Sequence, residues 1–351
     1  MNVLSALGTV VILLLVAWGC NPLNTADKST GEMAGDTAGD VTVGPRCSDD
    51  PWIDVKMGSG MACGVHEGGC AECWGWEEWG DTAVDPPRGQ DTGRWQDHNT
   101  QFPPEIPFES ISLAPWRCFG NFPGAYSSCG LTESGQIVCW GPDDFGVPTD
   151  GNWSEVVVEA EGVCALDSTG FPQCWGQYWG SDGFAATPTS GLSSFGYECD
   201  LAVGLQSDGR PWFAYYYDGW APSLPSVPMI RLDLGSDVAC YEGTDHSVAC
   251  VNIFSGENVP LPEQIGESGG PLRDLVVYDV RACMLTSLGA AVCWSVSSNV
   301  EGIPNTPTGD FVDLSCSWTG CCALTADGRA GCWDRDNNVE TYRPPGSYTA
   351  L

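Results

Sequence analysis

The chain has 351 residues, and Asp plus Glu number 46 against 13 Lys plus Arg, a formal charge of −33. Such a balance excludes phosphate-reading roles, which need a basic footprint, so no nucleic-acid partner is expected. With 45 Gly and 25 Pro and no sustained 3.6-residue period, long helices are excluded too, and turns are frequent. The 19 cysteines point away from a reducing cytosol.

The first element is an apolar run from Val3 to Trp18, too short and too close to the terminus to read as a membrane span. It ends in Val16-Ala17-Trp18-Gly19-Cys20, with small residues three and one before the cysteine. This resembles a bacterial lipoprotein lipobox, apart from the bulky Trp18 and the lack of a cation before the run. The resemblance implies a signal peptide over residues 1–20, cleavage before Cys20, and lipid on its thiol. It places the chain in a cell envelope, on the outer membrane or cell surface. Asn21 to Arg46 is rich in Gly, Ala, Thr and Asp and has no aromatic residue. It cannot bury enough apolar surface to order itself, so residues 21–46 read as an acidic tether.

From residue 47 to about residue 345 the chain repeats itself. The unit is Cys-x-Leu-x3-Gly-x3-Cys-Trp, seen at Cys129…Cys139-Trp140, Cys164…Cys174-Trp175, Cys283…Cys293-Trp294 and Cys322…Cys332-Trp333. Cys63…Cys73-Trp74 carries Val65 at the Leu position, and Cys240…Cys250-Val251 has His246 in place of the Gly. A further copy, Val203…Gly209…Phe213, has lost both cysteines together, as two bonded partners would be. The first-cysteine positions fall at 63, 129, 164, 203, 240, 283 and 322, and after the first step the spacing suits a propeller blade of about 40 residues. The expected fold is therefore an all-β, seven-bladed β-propeller of four-stranded blades, with an insertion at about residues 76–107.

In each repeat the two cysteines are equidistant from a turn such as Ala326-Asp327-Gly328. A three-residue hairpin loop with Gly in the left-handed position puts them opposite each other. His246 should be strained there or differently looped. The expected bridges are Cys63–Cys73, Cys129–Cys139, Cys164–Cys174, Cys240–Cys250, Cys283–Cys293 and Cys322–Cys332. Cys47, Cys70, Cys118, Cys199, Cys316 and Cys321 remain, and Cys47 with Cys316 or Cys321 would close the first strand onto the last blade.

The pattern of apolar strand, Cys-Ala-Leu strand, Gly turn and Trp-Gly strand resembles the regulator of chromosome condensation repeat family, closest to an exported bacterial branch with paired cysteines. The resemblance implies a propeller but spans several functions: nuclear exchange factors, secreted enzyme inhibitors and proteins of unknown role. Fold does not fix function here.

Three motifs echo chemistry. Cys63-x2-His66-x3-Cys70-x2-Cys73 has zinc-like spacing, yet Cys63 and Cys73 occupy the repeat's bridging positions. Gly266-Glu267-Ser268-Gly269-Gly270-Pro271 echoes a serine-protease nucleophile, but none of His66, His98 and His246 lies in the matching context. Asp334-Arg335-Asp336-Asn337-Asn338 alternates oxygen ligands without the Gly of a calcium loop. No metal or cofactor is expected, nor catalysis. The exposed-aromatic candidates for partner binding are Trp79, Trp95, Tyr215, Tyr216, Tyr217 and Trp220, which serve equally as blade core. The expected function is a monomeric, lipid-anchored binding or scaffold module that recognises a protein or a glycan. An enzyme inhibitor is the alternative, and a glycan-active enzyme the second.

Overall fold

The computed structural model describes residues 47, 50–58, 61–75, 103–114, 127–141, 145–148, 150–159, 162–176, 188–198, 201–215, 221–262, 265, 270–278, 281–296 and 309–334. The described residues contain strands, turns and one short 3-10 residue, and no helix long and apolar enough to cross a membrane.

The described strands form seven antiparallel sheets in chain order. Sheet one holds β1 (Trp52–Met57), β2 (Met61–His66) and β3 (Ala71–Gly75). Sheet two holds β4 (Ser110–Leu113), β5 (Ser128–Leu131) and β6 (Ile137–Trp140). Sheet three holds β7 (Trp153–Glu159), β8 (Gly162–Asp167) and β9 (Pro172–Gly176). Sheet four holds β10 (Leu192–Glu198), β11 (Leu201–Gln206) and β12 (Pro211–Tyr215). Sheet five holds β13 (Met229–Leu234), β14 (Val238–Gly243), β15 (Val248–Asn252) and β16 (Asn258–Val259). Sheet six holds β17 (Asp274–Tyr278), β18 (Arg281–Leu285) and β19 (Ala291–Ser295). Sheet seven holds β20 (Phe311–Ser317), β21 (Gly320–Thr325) and β22 (Ala330–Asp334). A fourth strand, expected in every blade, is present among the described residues only in sheet five. Elsewhere the segment after the third strand lies wholly or partly outside the described residues.

The sheets close into a ring, and the packing shows it. One apolar core lies between each sheet and the next, and Trp52, Val55 and Trp74 of sheet one share a core with Cys322, Leu324 and Cys332 of sheet seven. Each sheet is therefore covered on both faces. That is why the Cys-Trp pairs read as unbroken apolar runs rather than alternating ones. Cys63 and Cys73 face sheet two while Ala62 and Trp74, one residue along, face sheet seven.

All seven β2–β3-type hairpins share one loop. In sheet seven Gly328 N–H donates to Thr325 O and Thr325 N–H donates to Arg329 O, at 2.9 Å each. Gly328 has φ 77°, which glycine adopts without steric cost. His246 takes the same position with φ 64°, so the loop is kept and the strain is accepted. The loop sets the register: Cys63↔Cys73, Cys129↔Cys139, Cys164↔Cys174, Cys240↔Cys250, Cys283↔Cys293 and Cys322↔Cys332 are direct cross-strand partners. All six are bonded, with Cα atoms 4.0 to 4.1 Å apart. This is the closely spaced, non-hydrogen-bonded kind of antiparallel pair. Val203 and Phe213 pair at the same place in sheet four.

The leftover cysteines differ from expectation. Cys47 bonds Cys70, and Cys316 bonds Cys321. Cys316 and Cys321 are cross-strand neighbours in sheet seven, so each meets the other before any sulfur from the N-terminal segment. Cys118 and Cys199 lie outside the described residues, as do residues 1–46 with Cys20.

Candidate functional site

The first strands of neighbouring sheets touch all the way round, β1 with β4, β4 with β7, β7 with β10, β10 with β13, β13 with β17, β17 with β20 and β20 with β1. They therefore form the inner wall of the ring. Along each of them, residues of period two point alternately into the cores and into the wall.

Two tiers of wall residues result. Opposite the Leu position of the repeat stand Asp54, Ser110, Glu155, Ser194, Arg231, Asp274 and Asp313. Opposite the first-cysteine position stand Lys56, Ser112, Val157, Gly196, Asp233, Val276 and Ser315. Five carboxylates thus share the wall with Lys56 and Arg231.

Many of these groups tie one sheet to the next. Asp54 accepts from the N–H of Ile111 at 2.8 Å, Ser112 from Val158 at 2.9 Å, and Asp233 from Val277 at 2.6 Å. Asp274 accepts from Leu314 at 3.0 Å, and Ser315 from Met57 at 3.0 Å. The last of these bonds crosses the closure between sheets seven and one. Lys56 Nζ bridges the same closure, 3.0 Å from Asp54 and 3.2 Å from Asp313.

Charge crowding shows in the ionisation of the wall. Burial would lower Lys56, but the facing carboxylates Asp54 and Asp313 outweigh it and hold the ammonium above the usual lysine range. Burial pushes Glu155 up to about 7, although Lys56 pulls the other way. Burial likewise raises Asp233 to about 7, against the bond from Val277. Asp274 is raised to about 6 by burial and by the neighbouring charge of Asp313. Glu155 differs from Asp54, Asp233 and Asp274 in having no hydrogen bond to a described residue, so nothing local repays its desolvation.

A second polar centre lies between sheets five and six. Glu242 is fully buried and accepts from Arg231 Nη1 at 2.9 Å, from the N–H of Leu272 at 3.0 Å, and pairs with His246 Nδ1 at 2.8 Å. The side chain of His246 is 44% exposed.

No single motif in the sequence contains the wall. Its residues come two from each of seven distant strands, and in six of the sheets the first tier stands 11 residues before the repeat's Leu position. Counting 11 back from that Leu position, and then two onward along the same strand, finds both tiers. Of the aromatic candidates, Trp79, Trp95, Tyr216, Tyr217 and Trp220 lie outside the described residues, and Tyr215 ends β12. The Trp residues that follow the second cysteine are core: Trp74, Trp140, Trp175, Trp294 and Trp333 are all buried. Ser268 and residues 335–338 also lie outside the described residues. The zinc-like cysteine spacing is taken up by two bridges, Cys63–Cys73 and Cys47–Cys70.

No family model matches the chain, and no curated protein is significantly similar to it. Solved structures are similar in fold. The CRINKLY WD40 ectodomain of the Arabidopsis thaliana receptor kinase ACR4 matches at 18% identity over 84% of this chain and 97% of that one, with a TM-score of 0.57. The ectodomain of the Physcomitrella patens receptor kinase CR4 matches at 19% identity over 80% and 72%, with a TM-score of 0.53. Yeast RCC1 (Prp20), solved with Kap60, aligns at 12% identity over 69% and 73%, with a TM-score of 0.49. The first two likenesses place the chain among β-propellers and go no further than fold.

Proposed function

We propose that the chain is an exported binding module, held at a cell envelope by lipid on Cys20 and presenting a rigid propeller to a protein or glycan partner. The observation that carries this reading is the bridge inside six of the seven sheets, since such bridges persist only where thiols are oxidised. A ring braced by bridges and by sheet-to-sheet bonds is a stiff frame, and its loops are free to vary for recognition. The plant structures of similar fold are ectodomains of receptor kinases, which fits a propeller working outside the cytosol. Trp79, Trp95, Tyr215, Tyr216, Tyr217 and Trp220 are the proposed contact residues, as rigid aromatic anchors.

The test has two arms. Mass spectrometry of the mature chain from a Gram-negative host should find a diacylglyceryl group on Cys20 at the new N-terminus. An intact Met1 or a bare terminus elsewhere overturns the anchor. Cross-linking in envelope fractions should yield a defined partner that is lost when Trp79, Trp95, Tyr216, Tyr217 and Trp220 are changed to Ala. Undiminished cross-linking overturns the assigned surface.

Glu155 favours a second reading, the glycan-active enzyme. A carboxyl raised to about 7 keeps about half of its population protonated at neutral pH, which is what a general acid in glycosidic cleavage needs. Release of reducing sugar from envelope polysaccharides, abolished by Glu155→Gln, would establish it. Equal release by the variant would end it.

A further inference from the structure

The corner where the chain enters sheet one gathers ligand-type atoms, among them a buried imidazole nitrogen without a hydrogen-bond partner. His66 and Cys70 flank the first hairpin loop, His66 N–H donating to Cys70 O at 2.8 Å. In the other six sheets these two positions hold no His–Cys pair, only residues such as Thr132 with Gln136 or Thr325 with Arg329. Glu72, two residues beyond Cys70 in the same strand direction, shares its face. His66 and Glu72 are each only 5% exposed. His66 Nδ1 lies 2.6 Å from the carbonyl oxygen of Asp50. A carbonyl only accepts, so Nδ1 carries the hydrogen, and a neutral ring then has its lone pair on Nε2. That atom has no hydrogen-bond partner and lies 3.6 Å from Glu72 Oε2. Two acceptors thus face each other away from water, an arrangement that calls for positive charge between them. Trp52 stacks on the imidazole, with centroids 3.6 Å apart, and fixes its plane. Cys47 Sγ completes the group: the sulfur, a His66 ring nitrogen and a Glu72 oxygen all lie within 4.8 Å of one another.

We propose that reduction of Cys47–Cys70 converts this corner into a zinc site, with Cys47 Sγ, Cys70 Sγ, His66 Nε2 and Glu72 Oε2 as the four ligands. Two thiolates, an imidazole and a carboxylate suit the borderline-soft Zn2+ ion. The Nδ1–H bond to a backbone carbonyl is the usual support of a metal-binding histidine, since it fixes the tautomer and the ring. The 3.6 Å from nitrogen to oxygen is close to the edge of a tetrahedron built on zinc bonds of about 2.0–2.3 Å. The Cα atoms of Cys47 and Cys70 are 5.8 Å apart, against 4.0 to 4.1 Å in the hairpin bridges. The sulfurs can therefore part to ligand spacing without moving a strand. Both cysteines are partly exposed, whereas in the hairpin bridges only Cys139 is partly exposed and every other cysteine is buried, so a reductant reaches Cys47–Cys70 first.

The chemistry balances with a dithiol as reductant. The dithiol gives two electrons and two protons to the bridge and leaves as its own cyclic disulfide. The two new thiols then lose their protons to water as Zn2+ binds. Residue 47 is held to the first hairpin in either state, by sulfur–sulfur bonding when oxidised and by the metal when reduced.

The test uses the full chain. Limited treatment with a dithiol, followed by alkylation and peptide mapping, should show Cys47 and Cys70 opening before any hairpin pair. Titration with Zn2+ against a chelating dye should then give one ion per chain, bound at least 100-fold more tightly than by the oxidised chain. His66→Ala and Glu72→Gln should each weaken binding at least tenfold, and Cys47→Ser should do the same without any reduction step. Glu72→Gln changes little in shape, so it serves if His66→Ala fails to fold. Absence of zinc binding in a chain mapped as open at Cys47 and Cys70 overturns the proposal. So does binding that Glu72→Gln leaves unchanged, or a hairpin bridge that opens first.

Discussion

The backbone N–H of Trp52, at the start of the first sheet, donates to the carbonyl of Gly328 in the last hairpin at 2.9 Å. The same bond recurs round the ring: Phe108 to Gly69, Trp153 to Gly135, Leu192 to Gly170, Met229 to Gly209 and Phe311 to Gly289. In six of the seven sheets the glycine that turns the hairpin therefore also receives the next sheet. The contact between sheets seven and one is one more copy of this junction.

This double duty can be separated by substitution. An added Cβ at Gly328 would lie 2.4 Å from Pro51 Cβ, while one at Gly146 meets nothing within 4 Å, although both have positive φ. Gly146→Ala should cost about 1–2 kcal/mol, the left-handed penalty alone. Gly328→Ala should cost distinctly more, because Pro51 must shift and the closing bond with it. Equal losses in chemical denaturation would show that the junction is slack.

The hairpin bridges invite a paired experiment. Each closes a loop of about 11 residues and contributes about 2–3 kcal/mol by restricting the unfolded chain. Changing both Cys164 and Cys174 to Ala should lower Tm by several degrees and leave folding intact, since neighbouring sheets share the load. Changing Cys164 alone should be worse, because the freed Cys174 can misbridge. A single variant as stable as the double one would refute this.

Acid should stabilise the ring over a defined range. Glu155 is raised to about 7 from an ordinary 4.5, so the folded state holds its proton more tightly than the unfolded chain does. The stability this gives is fully present below about 4.5 and is lost as pH rises through 7. Asp233 and Asp274, raised to about 7 and about 6, act in the same direction. Tm should thus climb as pH falls from 8 to 5, and Glu155→Gln should flatten that slope and raise Tm at pH 8. An unchanged slope in the variant would assign the effect to other groups.

Lys56 works against that trend. Its removal leaves Asp54 and Asp313 facing each other across the closure without a cation. Lys56→Met should cost on the order of 2 kcal/mol at pH 8, the partly exposed Asp313 limb counting for little. The cost should shrink at pH 5, where the crowded carboxyls can take protons instead. A pH-independent loss would point to packing alone.

How far the sequence carried depended on whether the determinant was local. The Gly turn sets register within about ten residues, so the bridges and the Val203–Phe213 pair could be read from one repeat. The recurrence near every 40 residues carried the ring of sheets. The contacts within the wall could not be read so, because Asp54 and Asp313 are joined through Lys56 only when the chain has closed. Nor could the partner of Cys47: Cys70 lies on the nearest hairpin, and Cys316 finds Cys321 inside its own sheet. Proximity along a strand outweighed the need to close the ring, which buried apolar cores and backbone bonds already meet.

The junction between sheets five and six breaks the pattern and makes the sharpest prediction. His246 stands where the others have glycine, and the N–H of Leu272 goes to Glu242 Oε1. Glu242 has therefore taken over the receiving role of the hairpin carbonyl, and Arg231 supplies the opposite charge. Glu242→Ala should cost about 3–5 kcal/mol, because it strips a buried pair and leaves the Leu272 N–H unsatisfied. His246→Gly should be close to neutral: it loses one partly buried hydrogen bond but relieves the left-handed strain, and each effect is about 1 kcal/mol. In the double variant the two changes should not add, since His246 is bonded to Glu242 and loses that partner in either background. If Glu242→Ala proved mild while His246→Gly was severe, the carboxylate would not be the junction, and the strained histidine would be kept in place for a function of its own.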